Sequence, residues 1–232
     1  MNEKRSVAAA MTAGPMTIPK RTDKVIGRNR VLRNTYLLLA LTLATSAVTA
    51  GIAMAVGAPA LPWWATLAGF FGLLYVVHRL RDRAAGIGAV FALTAFMGYT
   101  LGPIMGYYLG TVNGAQHVAL AFGMTAAAFV GLSAIAVTTK RDFSYLSRMV
   151  FVGMIVAIVA AIAAIVFELP ALSLAVSAVV VMLMSGFILY ETQQIVNGGE
   201  TNYLLATVGL YVSIFNLFTS LLHLIGFFGA EE

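Results

Sequence analysis

The sequence predicts an all-α integral membrane protein of seven transmembrane helices, with the last helix at the centre. Three observations lead there. First, 60% of the 232 residues are hydrophobic and only 10% are charged, with a mean hydropathy of +0.91. A soluble domain carries roughly a quarter charged residues, so too few polar groups remain here to cover an aqueous surface. Second, apolar runs follow one another from Tyr36 almost to the C-terminus, each meeting the about 17–25 residues needed to cross a hydrocarbon core. Third, the runs are continuous rather than alternating. That sets aside a membrane β-barrel, whose strands are short with period two, and leaves helices, which satisfy their own backbone in lipid.

Residues 1–35 read as a polar cytoplasmic tail, with Lys4, Arg5, Lys20, Arg21, Lys24, Arg28, Arg30 and Arg33 interleaved with Pro15 and Pro19. The tail has no stripe to bury and is expected to be disordered. Its one apolar stretch, residues 6–13, is broken by Gly14-Pro15, so it reads as retained tail rather than signal peptide. The transmembrane domain, 36–228, divides into runs at 36–57, 61–78, 84–109, 116–138, 149–167, 170–190 and 203–228. Glycine, proline and charge separate them: Gly57 to Pro59, His78 to Arg83, Gly110 to Gln116, Thr138 to Arg148, Glu168 to Pro170, and Glu191 to Asn202. The fifth break is so tight that the runs beside it must form an antiparallel hairpin. Residues 229–232 are a short acidic C-terminus.

The 14 basic residues fix an expected orientation: eight in the tail, then Arg79, Arg81 and Arg83, then Lys140, Arg141 and Arg148. Seven crossings put all of them on one face, cytoplasmic by the positive-inside rule, and put the C-terminus on the periplasmic side. Because the sixth loop lacks Lys and Arg, a re-entrant last segment is compatible with the charges too. Trp63, Trp64 and the tyrosines near run ends suit interfacial belts. Basic residues confined to loops and tail argue against nucleic-acid binding, and suit contact with anionic lipid.

Chemistry-bearing residues are few. With no Cys, disulfides, thiolate nucleophiles and Cys-ligated metals drop out. No zinc, phosphate-loop or intramembrane aspartyl motif is present, so no metal, no cofactor and no enzymatic activity are expected. The weak exception is a Ser-His pairing of Ser133 with His223, which requires the two within hydrogen-bond reach. Gly98, Gly102, Gly106 and Gly110 recur every four residues around Pro103 and predict a helix-packing groove with a proline bend. Gly123, Ala127 and Gly131 repeat the idea more weakly. Ser213, Asn216, Ser220 and His223 form one polar stripe on the last run, which should face the interior and make that helix central. Glu191, at the end of the sixth run, is either solvated or turned inward; Glu168 and Glu200 read as loop acids.

Several stretches resemble the Bax inhibitor-1 (transmembrane Bax inhibitor motif) family: Gly98-Tyr99-Thr100-Leu101-Gly102-Pro103, Thr125 to Phe129, Tyr190-Glu191-Thr192-Gln193, and Leu210 to Phe218. The run from Gly198 to Tyr203, followed by Ala206-Thr207-Val208, resembles the bacterial YccA-type subgroup. The resemblance covers about residues 28–228. It implies a bacterial inner-membrane protein that binds, modulates and is a substrate of the membrane-anchored AAA protease FtsH, gripped by a tail such as that carrying Lys4, Arg5, Lys20 and Arg21. For other members it implies a pH-controlled calcium or proton leak governed by two aspartates. Those positions match Glu191 and Ser213 here, so the second acid is replaced by a hydroxyl, and Glu191, Ser213, Asn216 and His223 stand as the candidate ion-sensing residues.

Overall fold

A computed structural model describes residues 21–139 and 142–229, apart from the side chains of 21–29. Lys4, Arg5, Lys20, Lys140, Arg141 and the Glu231-Glu232 terminus lie outside the described residues, as does the Arg21 side chain.

Among the described residues seven helices follow one another: α1 (Arg21–Ala55), α2 (Trp63–Leu80), α3 (Ala85–Leu109), α4 (Gly114–Thr138), α5 (Ser144–Val166), α6 (Pro170–Asn197) and α7 (Tyr203–Phe228). The first begins at Arg21, so the boundary expected at 35/36 falls inside a helix. From 21 to 35 the basic residues continue the same hydrogen-bonded turns that the apolar run sustains below them. Six of the seven are long and apolar enough to cross a membrane, α1 doing so over Arg30–Ala55. The exception is α2, whose 18 residues begin with Trp63-Trp64 and end with His78 and Arg79; composition therefore supports six crossings, one fewer than the sequence reading.

The connections are short and chemically specified. Asn113, the N-cap of α4, takes a left-handed φ of 56°, which asparagine tolerates better than most residues. Gly198 ends α6 at φ 76°, where a Cβ is disfavoured, and the Gly199 amide then donates to the Gln194 carbonyl at 2.8 Å. Pro170 opens α6 at a position where its missing N–H has no intrahelical role. Pro103 sits inside α3 without interrupting it.

The last helix is central. It packs against α1, α2, α3, α4 and α6, while α5 touches only α6. Tyr211, Leu210, Leu217 and Leu222 on α7 are fully buried. The α7 helix is unbroken and runs from one end of the bundle to the other. At one end the Thr207 hydroxyl meets the Thr35 carbonyl (3.4 Å) and Asn202 reaches the α2–α3 loop. At the other, Gly226 lies against the Tyr108 ring and Gly229 against the His117 ring. The last segment is thus a through-going helix and not a re-entrant one.

Candidate functional site

The face holding the start of α1 also holds the three loops α2–α3, α4–α5 and α6–α7, joined by named hydrogen bonds. The key residue is Asn202. Its Oδ1 accepts from the Leu204 and Leu205 amides at 3.0 and 3.4 Å, capping α7. Its Nδ2 donates to the Arg81 carbonyl at 3.0 Å and to Asp82 Oδ1 at 3.2 Å, in the α2–α3 loop. Glu200 steadies the turn by accepting from the Asn202 amide at 2.7 Å. Gln193, near the end of α6, accepts from the Phe143 amide at 2.8 Å and so ties down the α4–α5 loop. Within that loop Asp142 accepts from the Ser144 amide at 2.8 Å and from the Ser144 hydroxyl, bonds that hold the Asp142 carboxyl below its usual range.

Glu191 lies half-buried beside this network. Its carboxylate packs over Gly209 of α7, where a Cβ would come 2.9 Å from Glu191 Oε1, and the Glu200 carboxylate is near enough to repel it. Ser213, fully buried one turn beyond Gly209, donates to the Gly209 carbonyl at 2.8 Å. Glu191 and Ser213 thus both contact Gly209, Glu191 at its Cα side and Ser213 at its carbonyl. The rest of the expected stripe does not join them. Asn216 turns back to the Val212 carbonyl at 2.8 Å. His223, ten residues and about 15 Å further along the helix, pairs its Nδ1 with the Ser177 hydroxyl of α6 at 2.8 Å. Ser177 also lies within hydrogen-bond reach of the Ser173 carbonyl, to which it donates at 3.1 Å. Of these residues Ser213 and Asn216 bond their own helix backbone, and His223 reaches another helix.

The Ser133–His223 pairing does not form. Ser133 Oγ is buried without a hydrogen-bond partner, and His223 bonds Ser177 instead. Among the described residues there is also no cluster of three or more metal-ligating side chains.

Packing glycines divide sharply. A Cβ on Gly98 would strike Thr49 Oγ1 and the Ser46 carbonyl and lie 2.9 Å from Ser46 Cα; one on Gly102 would lie 2.6 Å from the Ala53 Cβ. These two admit α1 to close contact with α3. Gly106 is looser, at 3.8 Å from Met54 Cγ, and Gly110 meets only the carbonyls of its own turn, capping the helix end. Gly123 and Gly131 have open space in front of them, which corrects the expected packing role for that face of α4: it is turned outward.

Sequence reasoning passed over one central group. The Tyr211 hydroxyl is buried among three helices, 2.8 Å from Ser46 Oγ on α1 and 3.4 Å from the Thr94 carbonyl on α3. An aromatic inside an apolar run reads as ordinary core, and only its phenol oxygen marks it as a junction. Asn202 was legible in principle, as an asparagine directly before a helical run.

The fold and these contacts define a polytopic α-helical membrane protein whose helices are joined by hydrogen bonds at Tyr211–Ser46, Thr207–Thr35 and His223–Ser177. The family model described as "Inhibitor of apoptosis-promoting Bax1" matches residues 28–230, and the chain belongs to this Bax inhibitor-1 family. Among its relatives is an uncharacterized protein of Pseudomonas aeruginosa, 47% identical over 202 residues, 87% of this chain and 91% of the relative. The "Modulator of FtsH protease YccA" of Escherichia coli K12 is 45% identical over 203 residues, 88% of this chain and 92% of the relative. The "Inner membrane protein YccA" of Escherichia coli O6:H1 has the same identity and coverage.

Proposed function

We propose that this chain is a non-enzymatic modulator, and itself a client, of an FtsH-type membrane protease in the bacterial inner (plasma) membrane. The observation that carries the reading is the 45% identity, over most of both chains, to the relative named as a modulator of that protease. The local chemistry supports a binding role. The buried serine nearest to a nucleophile in character, Ser133, lacks a base, and the histidine of the last helix is engaged with Ser177. In this reading α2 completes a seventh crossing, the face carrying Arg79, Arg81 and Arg83 is cytoplasmic, and the C-terminus is periplasmic. The segment with Lys4, Arg5, Lys20 and Arg21 is the handle by which the protease engages the chain.

A calcium or proton leak draws less support. Ser213 and Asn216 bond their own helix backbone, and the position of the second family acid is held by the Ser213 hydroxyl, so no carboxylate pair forms between α6 and α7 there.

Deleting residues 2–20 removes the handle and leaves α1 whole. The shortened protein should survive longer in cells that contain the protease and co-purify with it less from detergent-solubilised membranes. Unchanged turnover together with unchanged co-purification would reject the reading.

A further inference from the structure

One feature outside the family's polar positions points to a ligand. Near the face that carries the basic loops, α1 and α4 make no close backbone approach; they meet through side chains, Tyr36 against Phe129 with ring centroids 5.8 Å apart. Beside this contact lies a groove of about 360 Å³ lined by Leu32, Arg33, Tyr36 and Val137. Its volume falls in the range of about 300–1,000 Å³ usual for small-molecule sites.

The lining is apolar apart from the exposed Arg33 and the Tyr36 hydroxyl. Arg33 lies near the start of the membrane-spanning part of α1, Arg30–Ala55, and so at headgroup depth. Among the described residues the one ion pair joins Arg81 to Asp82; Arg33 has none. The nearest acid in the facing α4–α5 loop is Asp142, whose carboxylate is already engaged by Ser144.

We propose that this groove holds an anionic phospholipid, with its phosphate on the Arg33 guanidinium and an acyl chain along Leu32, Tyr36 and Val137. The chemistry selects that occupant. A guanidinium presents a planar fork to two phosphate oxygens, and basic pockets between helices at the cytoplasmic boundary suit anionic headgroups. Beside that charge the slot is walled by Leu32, Val137 and the Tyr36 ring, with the Tyr36 hydroxyl as its one other polar group, a lining that suits a hydrocarbon tail better than a polar metabolite.

The full chain, purified in mild detergent, tests this by native mass spectrometry with phosphatidylglycerol and phosphatidylethanolamine of identical acyl chains. Wild type should retain phosphatidylglycerol about fivefold over phosphatidylethanolamine, the advantage one basic residue gives near an anionic headgroup. Arg33→Gln should bring the ratio close to one, Arg33→Lys should keep much of it, and Arg79→Gln, away from the groove, should leave it unchanged. Val137→Trp, which fills the slot, should lower retention of both lipids. Equal retention by wild type, or an unchanged ratio in Arg33→Gln, overturns the proposal. In cells, a photo-crosslinking residue at position 137 should capture lipid; capture of a protein there would assign the groove to a transmembrane partner and overturn it too.

Discussion

Helices α5 and α7 invert the rule that governs soluble proteins. The most apolar span of the bundle is α5, yet only 17% of its most hydrophobic stretch is buried, against 44% for α7, which carries serines, threonines, an asparagine and a histidine. In water the greasier helix would sit at the centre. Lipid removes that driving force, since acyl chains are as apolar as leucine, and leaves close packing and interhelical hydrogen bonds to decide which helix is surrounded. Phe151, Val156 and Val159 of α5 are accordingly exposed, while Tyr211, Thr207 and Ser213 of α7 are fully buried. Polarity, used sparingly, marks the interior.

The largest way to break this contrast is to disturb the close contact beside α7. Gly98→Leu on α3 should destabilise by about 3 kcal/mol, the upper part of the range for overpacking, because the new side chain meets the α1 backbone at Ser46. Gly131→Leu, an equal change in volume facing open space, should stay within about 0.5 kcal/mol. Thermal unfolding in detergent, followed by the fluorescence of Trp63 and Trp64, separates them. A similar loss from both would mean that close packing is not what sets α3 apart from α4.

Hydrogen bonding comes next. Tyr211→Phe leaves Ser46 without its partner and should lower stability by about 1.5 kcal/mol. Tyr145→Phe, on the exposed start of α5, should change nothing measurable in the same assay. At the helix entrances, Asn202→Ala should lose about 1 kcal/mol as a lost cap. Asn202→Asp keeps the cap but gives up two donors and confronts Asp82, so proteolytic nicking of the α2–α3 loop should rise even where helix content holds.

The smallest effect belongs to α5. Ser144→Ala removes the hydroxyl donor to Asp142, and the carboxyl should move up toward its ordinary range in an NMR titration. The sign follows from the direction of the shift. A carboxyl held low in the folded protein favours folding above its unfolded pKa, and that contribution fades as pH falls through the folded value. Exposure of Asp142 keeps the consequence for stability slight.

The number of helices was legible because charged and turn-forming residues cluster between the apolar runs, although the sixth run, expected to end at residue 190, continues as helix to Asn197. The start of α1 was not: Lys24, Arg28 and Arg30 read as tail, but a helix emerging into water needs no apolar face to continue. The glycine repeats show the same limit. Spacing cannot tell Gly98, which admits a neighbour, from Gly131, which fronts open space, because both are one small residue on a helix. Likewise the stripe on α7 was correctly drawn inward, yet periodicity did not say that Asn216 would return to its own backbone while His223 crossed to α6. Partner choice depends on which helix stands opposite, and that is settled only in three dimensions.

The bond between Ser46 and Tyr211 joins residues 165 positions apart, and it bears on how the protein is made. Until the ribosome has delivered the seventh helix, the first two hundred residues have inserted around a missing axis, and the Ser46 hydroxyl waits without its mate. The bundle therefore cannot close fully until Tyr211 has been made, although α1 and α3 can pair before it. A nascent chain stalled before Tyr211 would sit in the bilayer as a loose sleeve of helices, open to any quality-control machinery able to grasp its leading end.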